Sequence, residues 1–171
     1  MLERVAQVTP DGQKMLKTRL HGDYHLGQVL LAHNDFYLID FEGEPSRAFD
    51  ERRAKHSPLR DVAGMLRSFN YAQCSALRDA AHNAEEIEKL APLARAWEAE
   101  ARRTFLRAYD DAARGALLYE SLVPGEGLLG LFELEKALYE LRYEIGNRPD
   151  WVRIPLQGVL GLLGSGTGQG H

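Results

Sequence analysis

His21-Gly22-Asp23-Tyr24-His25-Leu26-Gly27-Gln28-Val29-Leu30-Leu31-Ala32 is followed by His33-Asn34-Asp35 and then by Phe36-Tyr37-Leu38-Ile39-Asp40-Phe41-Glu42-Gly43. Residues 28–32 and 36–41 are short apolar runs rich in β-branched and aromatic side chains, separated by a tripeptide of turn composition, so the pair reads as a β-hairpin. A hairpin has its open ends together. Asp23 and Gln28, before and at the start of the first strand, are therefore expected near Asp40 at the end of the second, so that two carboxylates and an amide converge.

Such a set suits metal-assisted phosphoryl transfer, in which the protein orients a hydroxyl and holds Mg²⁺ through one or two carboxylates. On this reading Asp23 takes or orients the hydroxyl proton, while Gln28 and Asp40 hold the metal. The plainer alternatives are that both aspartates are turn or capping residues and that Gln28 merely opens a strand. His21 and His25, four apart with an acid between them, have the spacing of a helical zinc pair. Gly22 and Gly27 argue against a helix there, and His21 is expected to be a buried, hydrogen-bonded brace.

Working outward, Ser57-Pro58 supplies an N-cap followed by proline at the first helical position, and Leu59, Val62, Ala63, Leu66 and Phe69 follow at helical spacing. Trp97, Ala101, Phe105, Ala108 and Ala112 suggest a second helix, with residues 85–93 in the same or a preceding one despite Pro92. Leu131, Leu134, Leu138, Leu141 and Ile145 mark a third, closed by Gly146-Asn147-Arg148-Pro149. Residues 1–6 suit a helix fragment that runs into the turn Thr9-Pro10-Asp11-Gly12, and the Gly-rich stretch 164–171 is expected to be a flexible tail. The expected class is α+β, mainly α: a hairpin with polar ends followed by a bundle of three or more helices.

At 171 residues one domain is expected, placed at 1–163, and 44% hydrophobic with 27% charged residues excludes a disordered chain. The net charge of −4, with no basic run interleaved with aromatics, argues against nucleic acid or an anionic membrane as partner. The single cysteine, Cys74, cannot form an internal disulfide, and no signal-like or membrane-spanning segment is evident, so a cytoplasmic location is expected.

The segment His21-Gly22-Asp23-Tyr24-His25 with Gln28 is similar to the catalytic loop of aminoglycoside phosphotransferases and choline kinases, and Ile39-Asp40-Phe41-Glu42 resembles their metal-binding segment. A Gln where most relatives carry the metal-binding Asn, the run Asp40-Phe41-Glu42-Gly43-Glu44-Pro45, the stretch from Lys55 to Arg67 and the closing Asn147-Arg148-Pro149-Asp150-Trp151-Val152-Arg153-Ile154-Pro155 together resemble maltokinases, including copies fused to trehalose synthase. The resemblance implies the C-terminal lobe of a protein-kinase-like fold, ATP as co-substrate, Mg²⁺ as cofactor and maltose or a similar small sugar as acceptor. Carried over, Asp23 is the catalytic base and Gln28 and Asp40 are the metal ligands. Glu42 is a carboxylate on the metal side, and Asp61 matches an aspartate that braces the catalytic loop, although a first-turn acid is also favourable to a helix dipole with no other role. Glu133, Lys136, Tyr139, Glu140 and Tyr143 offer faces and acceptors for a disaccharide; helical aromatics are also common in cores.

Only twenty residues precede His21, too few for a Gly-rich phosphate loop, a strand lysine paired with a helix glutamate, or an adenine-binding hinge. The chain is accordingly expected to have little nucleotide affinity alone. It would work with an N-lobe or a trehalose synthase partner, or else be a non-catalytic fragment acting as an interaction module. Another sugar or an aminoglycoside is the alternative acceptor.

Overall fold

A computed structural model describes residues 16–119, 122 and 126–164. The expectations for residues 1–6, 9–12 and 165–171 lie outside these. The chain is mainly helical, with one two-stranded antiparallel sheet: strands β1 (Val29–Ala32) and β2 (Asp35–Leu38) pair in the register Val29↔Leu38 to Ala32↔Asp35. The turn is only two residues long. His33 and Asn34 both take positive φ, 52° and 62°, which gives the primed turn whose twist matches the strands.

The polar stretch after the hairpin contains a short helix α1 (Phe49–Arg53) that its composition did not announce. Helix α2 (Leu59–Ala80) carries the core: Leu59, Val62, Ala63, Leu66 and Phe69, the apolar stripe read from the sequence, are all buried. Ser57 Oγ accepts from the Leu59 N–H at 3.3 Å, Pro58 sits ahead of the first hydrogen-bonded turn, and the helix runs eleven residues beyond Phe69. Helix α3 (Ala84–Gly115) is continuous through Pro92 and is opened by Asn83, whose side chain accepts from the Glu86 N–H at 2.9 Å. Residues 85–93 and the Trp97 stripe thus lie on one helix.

Helix α4 (Glu126–Asn147) and helix α5 (Arg153–Gly164), linked by a 3-10 turn at Pro149–Trp151, complete the bundle. Helix α2 packs against α3 and α4, and α5 packs mainly on α4 while also touching α2. The face that α4 buries follows its leucine stripe only in part. Leu138 and Ile145 are exposed, 38% and 61%, while Glu133, Leu134, Ala137 and Glu144 are buried. Carboxylates take the inner positions because cations meet them there: Arg102 holds Glu133 at 2.7 Å, Arg67 holds Glu140 at 2.8 Å and Arg148 holds Glu144 at 2.6 Å.

Glycine is required where α2 passes the loop ahead of the hairpin. A Cβ on Gly64 would lie 2.7 Å from the Tyr24 carbonyl oxygen, a backbone atom that can move only with the whole loop. Gly64→Ala should therefore lower stability by about 1–3 kcal/mol in urea titrations. It should also displace the amide resonances of residues 21–25 in NMR spectra; a change confined to α2 would contradict this.

Candidate active site

The two segments quoted at the outset meet backbone to backbone. Gly22 and Gly43 take φ of +86° and +79°, and a Cβ on Gly22 would fall 2.9 Å from the Gly43 Cα. Helix α2 fixes the first segment from below. Asp61, in its first turn, accepts from the N–H groups of His21 at 2.7 Å and Gly22 at 2.9 Å. Burial pushes the Asp61 carboxyl up from its ordinary pKa, and the two N–H donors hold it back.

His21 is buried between the rings of Tyr24 and Phe41. Its Nε2 lies 2.8 Å from the Ile39 carbonyl oxygen, which can only accept, so Nε2 carries the proton. Nδ1 is then free to accept from the Asp23 N–H at 3.4 Å. One imidazole thereby ties the Asp23 loop to the residue before Asp40. His25 does a local job: its Nδ1 accepts from the Gly27 N–H at 3.1 Å and its Nε2 lies 3.8 Å from Asp23 Oδ2.

At the hairpin's open end the Gln28 side-chain N–H donates to Asp40 Oδ2 at 3.1 Å, and the Ile39 N–H donates to the Gln28 carbonyl at 3.1 Å. Asp40 holds a positive φ of 61° without being glycine, a conformation kept only where the surroundings fix it. Among the described residues no three His, Cys, Asp or Glu side chains converge into a cation cage. A carboxylate beside an amide is an oxygen-donor pair that fits Mg²⁺, an ion that takes its remaining ligands from phosphates and water. Glu42 is exposed, and its carbonyl accepts from Arg52 at 3.4 Å.

The Asp23 side chain faces Lys136 of α4. A cavity of about 620 Å³ and a smaller one of about 160 Å³ share Asp23, Glu44, Gly64, Lys136 and Tyr139 as lining. The Lys136 ammonium bridges Asp23 Oδ1 at 3.4 Å and Glu44 Oε2 at 3.1 Å, and the Tyr139 hydroxyl donates to Glu44 Oε1 at 2.8 Å. Burial works against the Lys136 charge, but the carboxylates of Glu44 and Asp23 outweigh it and raise its pKa. Glu140, Tyr143, Glu144 and Arg148 are among the other residues that line the larger cavity. Burial also raises the Glu140 carboxyl, against the pull of Arg67.

Of the α4 residues considered for a sugar, the structure gathers Lys136, Tyr139, Glu140 and Tyr143 at this cavity. Glu133 is not among them, since it is buried against Arg102 of α3. The sequence reading passed over Glu44 and Glu144. Glu44 lay within the quoted run Asp40-Phe41-Glu42-Gly43-Glu44-Pro45, whereas Glu144 had only its four-residue step from Glu140 to mark it.

No family model matches the chain. Similarity to known proteins is nonetheless clear. It is to glucosamine kinase. A glucosamine kinase of Streptacidiphilus jiangxiensis is 31% identical over 163 residues, covering 94% of this chain and 35% of that protein. One from Mycolicibacterium smegmatis is 32% identical over 148 residues, covering 86% of this chain and 35% of that protein. A crystal form of glucosamine kinase superposes with a TM-score of 0.69 at 27% identity, and the enzyme in complex with glucosamine, ADP and inorganic phosphate with 0.68 at 27% identity. Each superposition covers 88% of this chain, and 35% and 36% of those chains. The chain thus spans about a third of the length of the kinases it matches, and these are named for glucosamine rather than maltose. Among the described residues no helix is long and apolar enough to cross a membrane.

Proposed function

We propose that this chain is the acceptor-binding and acceptor-activating part of an ATP-dependent sugar kinase. The observation that carries the reading is the Asp23 carboxylate, held at the edge of a 620 Å³ cavity by a loop that Asp61 and His21 brace. Cavities of this size hold small ligands of one or two rings.

A sugar in that cavity presents a hydroxyl to Asp23, which accepts the proton as the sugar oxygen forms its bond to the terminal phosphorus of ATP and the bond to ADP breaks. Asp40 and Gln28 would hold Mg²⁺, which neutralises charge on the phosphates when bound, and Glu42 adds a carboxylate on that side. Asp61, His21 and His25 keep the Asp23 loop in place, and Lys136, Tyr139, Glu140 and Tyr143 face the sugar.

Two acceptors follow from two observations. Maltose follows from the resemblance of residues 40–45 and 147–155 to maltokinases, and glucosamine from the relatives. Sugar-dependent ADP release by the intact gene product, with Mg²⁺-ATP and each sugar in turn, is the test. Release stimulated by either sugar is the expected result; ADP release that no sugar stimulates, beside saturable binding of a different hydroxyl compound, would sink the reading.

A further inference from the structure

Gly22 and Gly43, the two glycines in backbone contact, are each followed by an acid, so the spacing of Asp23 and Glu44 is set by the backbone itself. Lys136 of α4 lies across both. Its ammonium is nearer Glu44 Oε2, at 3.1 Å, than Asp23 Oδ1, at 3.4 Å, and Glu44 Oε1 accepts from the Tyr139 hydroxyl at 2.8 Å. The Ser46 hydroxyl lies 3.2 Å from that of Tyr139. Both Glu44 oxygens are thus engaged, as are those of Asp61, which accept at 2.7 Å and 2.9 Å. Asp23 differs: Lys136 at 3.4 Å and His25 Nε2 at 3.8 Å both stand off beyond the roughly 2.7–2.9 Å of a full charge-assisted bond.

We propose that Glu44 is a positioning residue for phosphoryl transfer: by engaging Lys136 it keeps the ammonium from closing on Asp23, and so leaves the Asp23 oxygens open to the acceptor hydroxyl. This assignment rests on the sugar-kinase reading and deepens it. A carboxylate that accepts a full-strength bond from an ammonium is held in its ionised form and is a poorer proton acceptor. Without Glu44, Asp23 would be left as the ion-pair partner of a lysine whose side chain is only 27% exposed, a setting in which attraction is stronger than in bulk water. The Lys136 pKa is raised although burial opposes the charge, with Glu44 the larger of the two carboxylate influences and Asp23 the smaller.

The test is the single-turnover rate of phosphoryl transfer by the intact gene product, with Mg²⁺-ATP and whichever of maltose and glucosamine stimulates ADP release, a measurement that separates chemistry from product release. Glu44→Gln, nearly isosteric, should lower the rate at saturating sugar about tenfold while the sugar's dissociation constant stays within about threefold of wild type. Glu44→Asp keeps the charge and should lose less. Adding Lys136→Met to Glu44→Gln should raise the rate about threefold or more above the single variant, because the ammonium that closes on Asp23 is gone. A merely structural role for Glu44 predicts the reverse, a double variant slower than Glu44→Gln. Glu44→Ala replaces Glu44→Gln if the latter lacks a cooperative melt. A Glu44→Gln rate within about twofold of wild type, or a folded double variant no faster than the single, overturns the proposal alone. Absence of sugar-stimulated ADP release from the wild type overturns the sugar-kinase reading and the proposal with it.

Discussion

Asp23→Asn is expected to lower kcat by about 10²–10⁴-fold while leaving the sugar's dissociation constant within about threefold of wild type. The substitution keeps the shape of the side chain and the Asp23 N–H contact to His21, and it leaves Glu44 to hold Lys136. What is lost is the ability to accept a proton, together with the negative charge that faces Lys136. Steady-state ADP release gives kcat, and calorimetry on the same preparation gives sugar affinity. A variant that lost binding and turnover equally would make Asp23 a sugar contact rather than the base, and one that retained turnover would move the base elsewhere.

The largest stability effect should come from Arg67. Its side chain is 5% exposed and meets Glu140, 12% exposed, through Nε at 2.9 Å and a terminal nitrogen at 2.8 Å. It also lies over the Tyr71 ring, and a Cβ on Gly158 of α5 would collide with its guanidinium. Arg67→Met removes the cation and leaves the carboxylate in an apolar setting, so unfolding free energy should fall by about 3–5 kcal/mol. In the double variant Arg67→Met/Glu140→Met no charge is stranded, and most of that loss should return. Urea denaturation of the wild type, both singles and the double measures the coupling; additive losses would mean that the pair contributes little beyond packing.

The hairpin was legible because its turn and its apolar runs each carry a local signal, and α2 because Ser57-Pro58 and a regular stripe agree. Pro92 left the extent of α3 open, since no rule of spacing says whether a helix will tolerate it. The leucine stripe of α4 marked the helix but only part of its buried face, for a physical reason: the partners that hold Glu133 and Glu144 inside, Arg102 and Arg148, are fixed by tertiary or local geometry that spacing does not reveal. Helix α1 and helix α5 had no clean stripe and were not read at all. At the site, the convergence of Gln28 with Asp40 follows from the hairpin alone. The meeting of Asp23, Glu44 and Lys136 needs α4 to cross above the loop, more than ninety residues later in the chain, which no local pattern encodes.

The carboxylates of α4 serve two masters. Glu140 and Glu144 line the cavity and are also the inner partners of Arg67, Arg148 and Tyr71, so the floor of the site and the seam between α2 and α4 are one network. Any lineage that reshapes this floor to accept a new ligand loosens the scaffold in the same step. Drift in acceptor preference would then be confined to chains with stability to spare, and laboratory evolution toward a new sugar should succeed sooner from a stabilised parent than from this one.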